Sequence, residues 1–291
     1  MTSFTVIGGT SSEDLAKKMA VRLNAKYIKT ELRIFPDGES KITIKGKPKG
    51  KIIVVQSTYP PVDSHIIQTL FLISKARQYS SNVMAVIPYM GYARQDKVFL
   101  AGEIVSISVI AALFKAAGAT EIITVDNHSK IALRYFSMPV KNISAVQLLA
   151  AHFKKLNLKR PLVVSPDLFW SSPAKEFARF LGTKSFALSK LRDRKTGKLK
   201  IKFARPKNVK GSDIILVDDM ISSGDTIIQA TKFLKNHGCG KVFVACTHGI
   251  LANNARKKIK DAGVSDIIST NTIPSSTSIV DVSEIITSVI H

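Results

Sequence analysis

The sequence predicts an α/β protein made of two similar domains, each a mainly parallel sheet flanked by helices, and three observations carry that prediction. The first is a set of short, continuous apolar runs rich in β-branched residues, at 52–55, 83–87, 122–125, 162–164, 214–217 and 242–245. Such runs fit strands buried on both faces, as in parallel sheets. The second is the helical pattern between them, near 63–80, 104–117, 145–157, 171–181, 225–237 and 251–262. Gly118, Gly182, Gly238 and Gly263 each follow a helix, where a left-handed residue ends it. Strand–helix alternation of this kind means parallel sheets. The third is a faint internal repeat. Offset by 120, residues 114–118 and 121–128 lie over 234–238 and 241–248 with lysine, glycine and histidine in register, and 83–87 lies over 213–217 with about ten extra residues in the first copy. The expected division is 1–145 and 146–291, with the segment 281–291 helix-like and able to pack on either domain.

The 291 residues suffice for two domains with real cores. A hydrophobic content of 45% with 22% charged residues is the profile of a folded protein in water. The first ten residues lack a basic head followed by an apolar run, so no secretory signal is expected. No apolar run is long enough to span a membrane. Cys239 and Cys246 lack zinc-site spacing and read as small core residues in a reducing cytoplasm. A net charge of +22 suits nucleic acid, phosphate-rich small molecules or a solvated lysine surface. The cations are spread along the chain and are not interleaved with aromatics, which disfavours nucleic acid as the main partner. The densest stretches, 41–51 and 190–210, read as loops or hairpins.

The most informative stretch is 214–226, IILVDDMISSGDT. Four apolar β-formers end in Asp218 and Asp219, and ligand sites in open parallel sheets lie at the carboxyl ends of strands. Ser222, Ser223, Gly224, Asp225 and Thr226 then lead into a helix. A short loop of small residues with a helix N-terminus behind it points N–H groups at a phosphate. The two carboxylates suit the vicinal hydroxyls of a sugar. A metal-binding Asp pair or an ordinary turn are the alternatives. No Gx4GK[ST] loop is present, and no G-x-G-x-x-G follows the first strand, which disfavours P-loop kinases and dinucleotide enzymes.

This string resembles the phosphoribosyl-binding motif of the phosphoribosyltransferase superfamily. Further segments, in order along nearly the whole chain, resemble those of its PRPP synthetases (ribose-phosphate pyrophosphokinases): 33–39 (RIFPDGE), 92–96 (YARQD), 125–129 (VDNHS), 164–167 (VSPD), 189–192 (SKLR), 247–249 (THG) and 270–274 (TNTIP). The resemblance implies two tandem phosphoribosyltransferase-type domains with ATP bound between them. Phe35 would stack on adenine while Asp37 and Glu39 accept from its amino group; Pro-Asp-Gly is equally good turn chemistry. Arg94 and Gln95 would hold the triphosphate. His128 and Asp167 would hold Mg2+, which binds few protein ligands besides substrate phosphates. Lys190 and Arg192 would close over the transferring group as catalytic residues alongside His128, with Arg192 also reaching ribose 5-phosphate. Asp218, Asp219 and 222–226 would bind ribose 5-phosphate. His248 is left structural.

The implied reaction is transfer of the diphosphoryl group of ATP to the C1 hydroxyl of ribose 5-phosphate, giving PRPP and AMP for nucleotide biosynthesis. A cytoplasmic homo-oligomer is implied, because the family's adenine loop commonly contacts a neighbouring subunit. Four departures from the family pattern stand out: Asn127 before the histidine, Phe169 and Trp170 where glycines are common, Asp225 beside the phosphate, and the apolar run 97–102. Bulky aromatics hinder close backbone approach to a phosphate. They keep open a catalytically weakened, synthetase-like regulatory subunit. A base phosphoribosyltransferase is the other alternative, and it would need only one such domain.

Overall fold

The computed structural model describes residues 3–188 and 209–291. They form two compact units: 1–144 with 272–274 and 281–291, and 145–271 with 275–280. In chain order the first contains β1 (Phe4–Gly8), α1 (Glu13–Arg22), β2 (Lys26–Ile34), β3 (Ser40–Ile44), β4 (Lys51–Val55), α2 (Val62–Arg77), β5 (Val83–Val86), α3 (Ser106–Ala117), β6 (Glu121–Val125), α4 (Lys130–Leu133) and β7 (Val140–Ile143). The second contains α5 (Val146–Lys154), β8 (Leu162–Ser165), α6 (Ser171–Leu181), β9 (Lys184–Ala187), β10 (Ile214–Ile221), α7 (Asp225–Asn236), β11 (Val242–Gly249), α8 (Ala255–Asp261), β12 (Val264–Thr270) and β13 (Ser278–Val280); α9 (Ser283–Thr287) returns to the first.

The first sheet runs β3-β2-β1-β4-β5-β6-β7 and the second β13-β12-β11-β10-β8-β9. Among the described residues every pairing is parallel except the hairpin β2–β3. The central strands are apolar and buried because both of their faces are covered. In β10, Ile214 and Leu216 join Leu234 of α7 and Ile259 of α8 in one core, while Ile215 and Val217 join Phe153 of α5 and Phe177 of α6 in another. That is the two-residue alternation of a strand, with apolar side chains on both sides. In the first unit Ile7, Val54, Ile73 and Phe114 anchor the equivalent core.

Read from its other edge, the second sheet is β9-β8-β10-β11-β12-β13, which matches β2-β1-β4-β5-β6-β7 strand for strand in both space and chain order. The two units are therefore topological copies, and β10 corresponds to β4. The repeat register read from sequence, which laid β6 over β11 and β5 over β10, is one strand–helix unit out of step. Four of these units share one pattern, a strand after a helix ended by a left-handed glycine. Gly118 (φ 103°), Gly182 (φ 76°), Gly238 (φ 76°) and Gly263 (φ 99°) all sit there, so any two units resemble each other. In the corrected register 87–105 joins β5 to α3 and 250–254 joins β11 to α8, so the longer connection still lies in the first unit, though not by the comparison read from sequence.

Two more expectations are adjusted. The helix expected over 251–262 begins only at Ala255, because Leu251, Asn253 and Asn254 take positive φ of 50°, 54° and 60°. The C-terminal segment does not stay with the second unit. Lys18 pairs with Asp281 at 3.2 Å, Arg22 donates to Ser283 Oγ at 2.9 Å, and Lys141 and Lys51 donate to the carbonyls of Val289 and His291 at 2.9 and 2.8 Å. Ser57 Oγ likewise donates to the Thr272 carbonyl at 2.6 Å in a buried bond.

Candidate active site

In the second unit the chain moves from β8 outward to β9, then returns to β10 and runs the other way. The carboxyl ends of β8 and β10 therefore flank the point where strand order reverses, the place such sheets bind ligands. Asp167 lies just past β8. Asp218 and Asp219 lie in β10, and 222–226 form the turn into α7. Burial first, then the neighbouring charges of Asp219 and Asp167, push the Asp218 carboxyl well above the usual carboxylate range. Asp167 and Asp219 are thus near enough to Asp218 for their charges to act on it. Gly224, at φ 80°, turns the chain into α7, and a Cβ there would lie 2.7 Å from Ile259 Cδ1. Glycine is required both for the left-handed turn and for the close packing of α7 on α8. Ser223 Oγ donates to Asp225 Oδ2 at 2.7 Å, so the Asp225 charge is engaged at the first turn of its own helix.

The 166–170 turn modifies the expectation about its aromatics. Trp170 is only 7% exposed and packs in the α5–α6 core, with an indole N–H that finds no hydrogen-bond partner. Phe169 and Leu168 alone face outward, at 59% and 65% exposure. The backbone N–H groups of Phe169 and Trp170 go to Asp167 Oδ1, at 3.0 and 3.3 Å. It is this carboxylate, more than aromatic bulk, that competes for donors a phosphate would use.

In the first unit, Arg33 to Glu39 cap the β2–β3 hairpin. The N–H of Phe35 donates to the Glu39 carbonyl at 2.9 Å, and the N–H of Glu39 to Asp37 Oδ1 at 3.1 Å. The Arg33 guanidinium stands 4.9 Å from the centre of the Phe35 ring. Asp37 and Glu39 are exposed and Phe35 is half-buried. The turn reading is thus correct for the backbone and leaves the side chains presented outward. Arg94 and Gln95 follow β5, and His128 follows the adjacent β6, so these three come after the carboxyl ends of neighbouring strands, at one edge of the cluster of loops there. Glu103 orders the loop after Gln95: its Oε2 accepts the N–H groups of Phe99 and Leu100 at 2.8 and 3.1 Å, which hold its carboxyl below the usual range. Asn127 Nδ2 donates to the Ser129 carbonyl at 2.7 Å, while its buried Oδ1 has no hydrogen-bond partner. The hairpin stands apart from this edge. β1 and β4 lie between β2 and β5, a separation of about 14 Å at the usual strand spacing. His248 is 1% exposed in β11, as a structural residue would be. Lys190 and Arg192 lie outside the described residues.

Sequence reasoning missed the polar cluster at the corresponding crevice of the first unit, between β1 and β4. Gln56, fully buried, fills it. Its Oε1 accepts the Ser11 N–H at 3.1 Å and its Nε2 reaches Thr10 Oγ1 at 3.2 Å, while Thr10 Oγ1 donates to Gln68 Oε1 at 2.6 Å. A Cβ on Gly9 would lie 2.0 Å from Gln56 Oε1. Among the described residues the second unit has acidic side chains, Asp218 and Asp219, at this position instead.

Two phosphoribosyltransferase-type domains in tandem, one with acidic residues at the strand-order reversal and the other with it filled by Gln56, define the class of protein. Comparison with known proteins narrows it. Residues 4–118 match the family model described as the N-terminal domain of ribose phosphate pyrophosphokinase, and 189–291 match the phosphoribosyl synthetase-associated domain. The ribose-phosphate pyrophosphokinase of Methanobrevibacter smithii is 37% identical, with 98% of this chain and 99% of that one covered. That of Sulfurisphaera tokodaii is 36% identical, covering 96% and 97%. The crystal structure of phosphoribosylpyrophosphate synthetase from Mycobacterium smegmatis superimposes with a TM-score of 0.85 at 28% identity, covering 98% and 97%. The chain belongs to the ribose-phosphate pyrophosphokinase family.

Proposed function

We propose that the chain transfers the diphosphoryl group of ATP to the C1 hydroxyl of ribose 5-phosphate, releasing AMP and PRPP. The observation that carries this reading is the crevice at β8 and β10, where carboxylates for sugar hydroxyls stand beside a glycine-turned helix N-terminus for a phosphate. Asp218 and Asp219 bind the ribose hydroxyls. Ser222, Ser223, Gly224, Asp225 and Thr226 hold the 5-phosphate, Asp225 releasing Ser223 as the phosphate enters. Phe35, Asp37 and Glu39 take the adenine, and Arg94 and Gln95 the triphosphate. Lys190 and Arg192, assigned from resemblance, neutralise charge on the transferring group.

The donor chemistry fits magnesium. Among the described residues no three His, Cys, Asp or Glu side chains form a cage. Mg2+ needs only one or two carboxylates beside waters and phosphates; burial chiefly raises the Asp218 carboxyl, and the smaller repulsion from Asp219 and Asp167 is the kind a divalent cation relieves. Asp167 is assigned to it in the ribose crevice and His128 at the ATP phosphates. When bound, the metal neutralises charge on the phosphoryl oxygens. Because the adenine hairpin stands three strand positions from Arg94, a homo-oligomer in which it serves a neighbouring subunit is the assembly we favour. No helix among the described residues is long and apolar enough to cross a membrane. The free Cys239 and Cys246 suit a reducing cytoplasm. The test is purified protein with ATP, ribose 5-phosphate and Mg2+. Equimolar AMP and PRPP are expected; absence of AMP with every divalent cation tried refutes the proposal.

A further inference from the structure

The loops 92–96 and 126–129 leave adjacent parallel strands, β5 and β6, and a buried hydrogen bond locks them together. Ser129 Oγ donates to Asp96 Oδ2 across 33 residues of chain, and both residues are 7% exposed. The same Ser129 oxygen accepts the N–H groups of Ile131 and Ala132 at 3.0 and 3.3 Å, capping α4. Tyr135 Oη donates to the Asp96 carbonyl at 3.1 Å, and Asn127 Nδ2 to the Ser129 carbonyl at 2.7 Å. Asp96 directly follows Gln95, and Ser129 directly follows His128. An enclosed carboxylate is a costly way to fill space, since apolar side chains pack at lower desolvation cost. What it adds is a directional bond that fixes one loop against the other.

We propose that Asp96 is a positioning residue for ATP. Through Ser129 it sets the distance and orientation of His128 relative to Arg94 and Gln95, so that imidazole, guanidinium and amide meet one triphosphate without rearranging. In this role Asp96 and Ser129 act through the loops they join. The inference deepens the proposed function and rests on its assignment of ATP to these three side chains. Preorganisation of this sort acts on ATP capture and turnover, and leaves ribose 5-phosphate capture in the second unit untouched.

The experiment is a double-mutant cycle with Asp96→Ala, Ser129→Ala and the pair, read as separate KM values for ATP and ribose 5-phosphate, kcat, and a thermal melt. Each single change is expected to lower kcat/KM for ATP about tenfold to a hundredfold, and the pair no more than about threefold further, because both remove one interaction. The KM for ribose 5-phosphate should stay within about twofold of wild type. Ser129→Thr, which keeps a hydroxyl, and Asp96→Asn, which keeps an acceptor, should recover most of the loss. Additive effects, or a lowered melting temperature with an unchanged KM for ATP, overturn the inference by assigning the bond to stability alone. If the alanine variants do not fold, the same comparison is made with Asp96→Asn and Ser129→Thr against Ser129→Cys. Failure of the proposed function reads differently: the wild type itself then forms no AMP.

Discussion

Asp167 accepts the backbone N–H of Trp170, so a carboxylate assigned to a metal also closes the turn into α6. Substitution separates the two roles. Asp167→Asn keeps an oxygen for the N–H groups of Phe169 and Trp170 but removes the charge. Its melting temperature should stay near wild type while AMP formation falls by about a hundredfold or more. Asp167→Ala should lose the same activity and also about 1 kcal/mol of stability, from the two broken turn bonds. Thermal melts beside initial rates check both.

The raised Asp218 carboxyl predicts a pH dependence of stability. Its folded-state value lies above its unfolded value, so the native state binds a proton that the unfolded chain releases. Stability therefore falls as pH rises from the ordinary carboxylate range through the raised value. Asp218→Asn should abolish this slope and melt higher than wild type at neutral pH without metal, while losing ribose 5-phosphate turnover. Added Mg2+ should flatten the slope in the wild type. Unfolding curves across pH, with and without metal, give the answer.

Gly224→Ala tests the phosphate turn. A left-handed alanine costs roughly 1–2 kcal/mol, and the 2.7 Å approach of its Cβ to Ile259 adds crowding. A stability loss with a raised KM for ribose 5-phosphate, and an unchanged KM for ATP, is expected from denaturant titration and kinetics.

Trp170→Phe removes a buried indole N–H that has no partner. Leaving such a donor unpaired costs about 1–3 kcal/mol, so the smaller apolar ring should match or exceed wild-type stability despite the lost volume. Chemical unfolding midpoints measure this directly.

If the Phe35 hairpin serves a neighbouring subunit, Phe35→Ala and Arg94→Ala chains, each defective alone, should regain activity when mixed after dissociation and reassociation. If Phe35 serves its own chain, mixing should restore nothing. Specific activity of the mixtures decides.

The strands β4, β5, β6, β8, β10 and β11 were legible in the sequence because helices cover both faces of each, leaving uninterrupted Val, Ile and Leu. β7, β9 and β13 were not: at Val140–Ile143, Lys184–Ala187 and Ser278–Val280 they are short and half-exposed, and polar residues break the pattern. β2 carries alternating polar residues because its hairpin end stands in solvent. The turn at 222–226 was legible because strand, loop and helix start form one contiguous string. The Ser129–Asp96 bond and the Gln56 cluster were not, because their partners lie far apart in sequence and only the sheet brings them together. Trp170 was misjudged because composition cannot say which way a side chain at the first turn of a helix faces.

Gln56 gives this duplicated scaffold a stoichiometry. Two copies of one topology would by default offer two sugar-phosphate crevices, and an enzyme joining two different substrates has no use for a second acceptor competing with the donor. With its amide spanning the strand ends of β1 and β4, the first copy is released from that task, and the chain should bind a single equivalent of ribose 5-phosphate in a calorimetric titration.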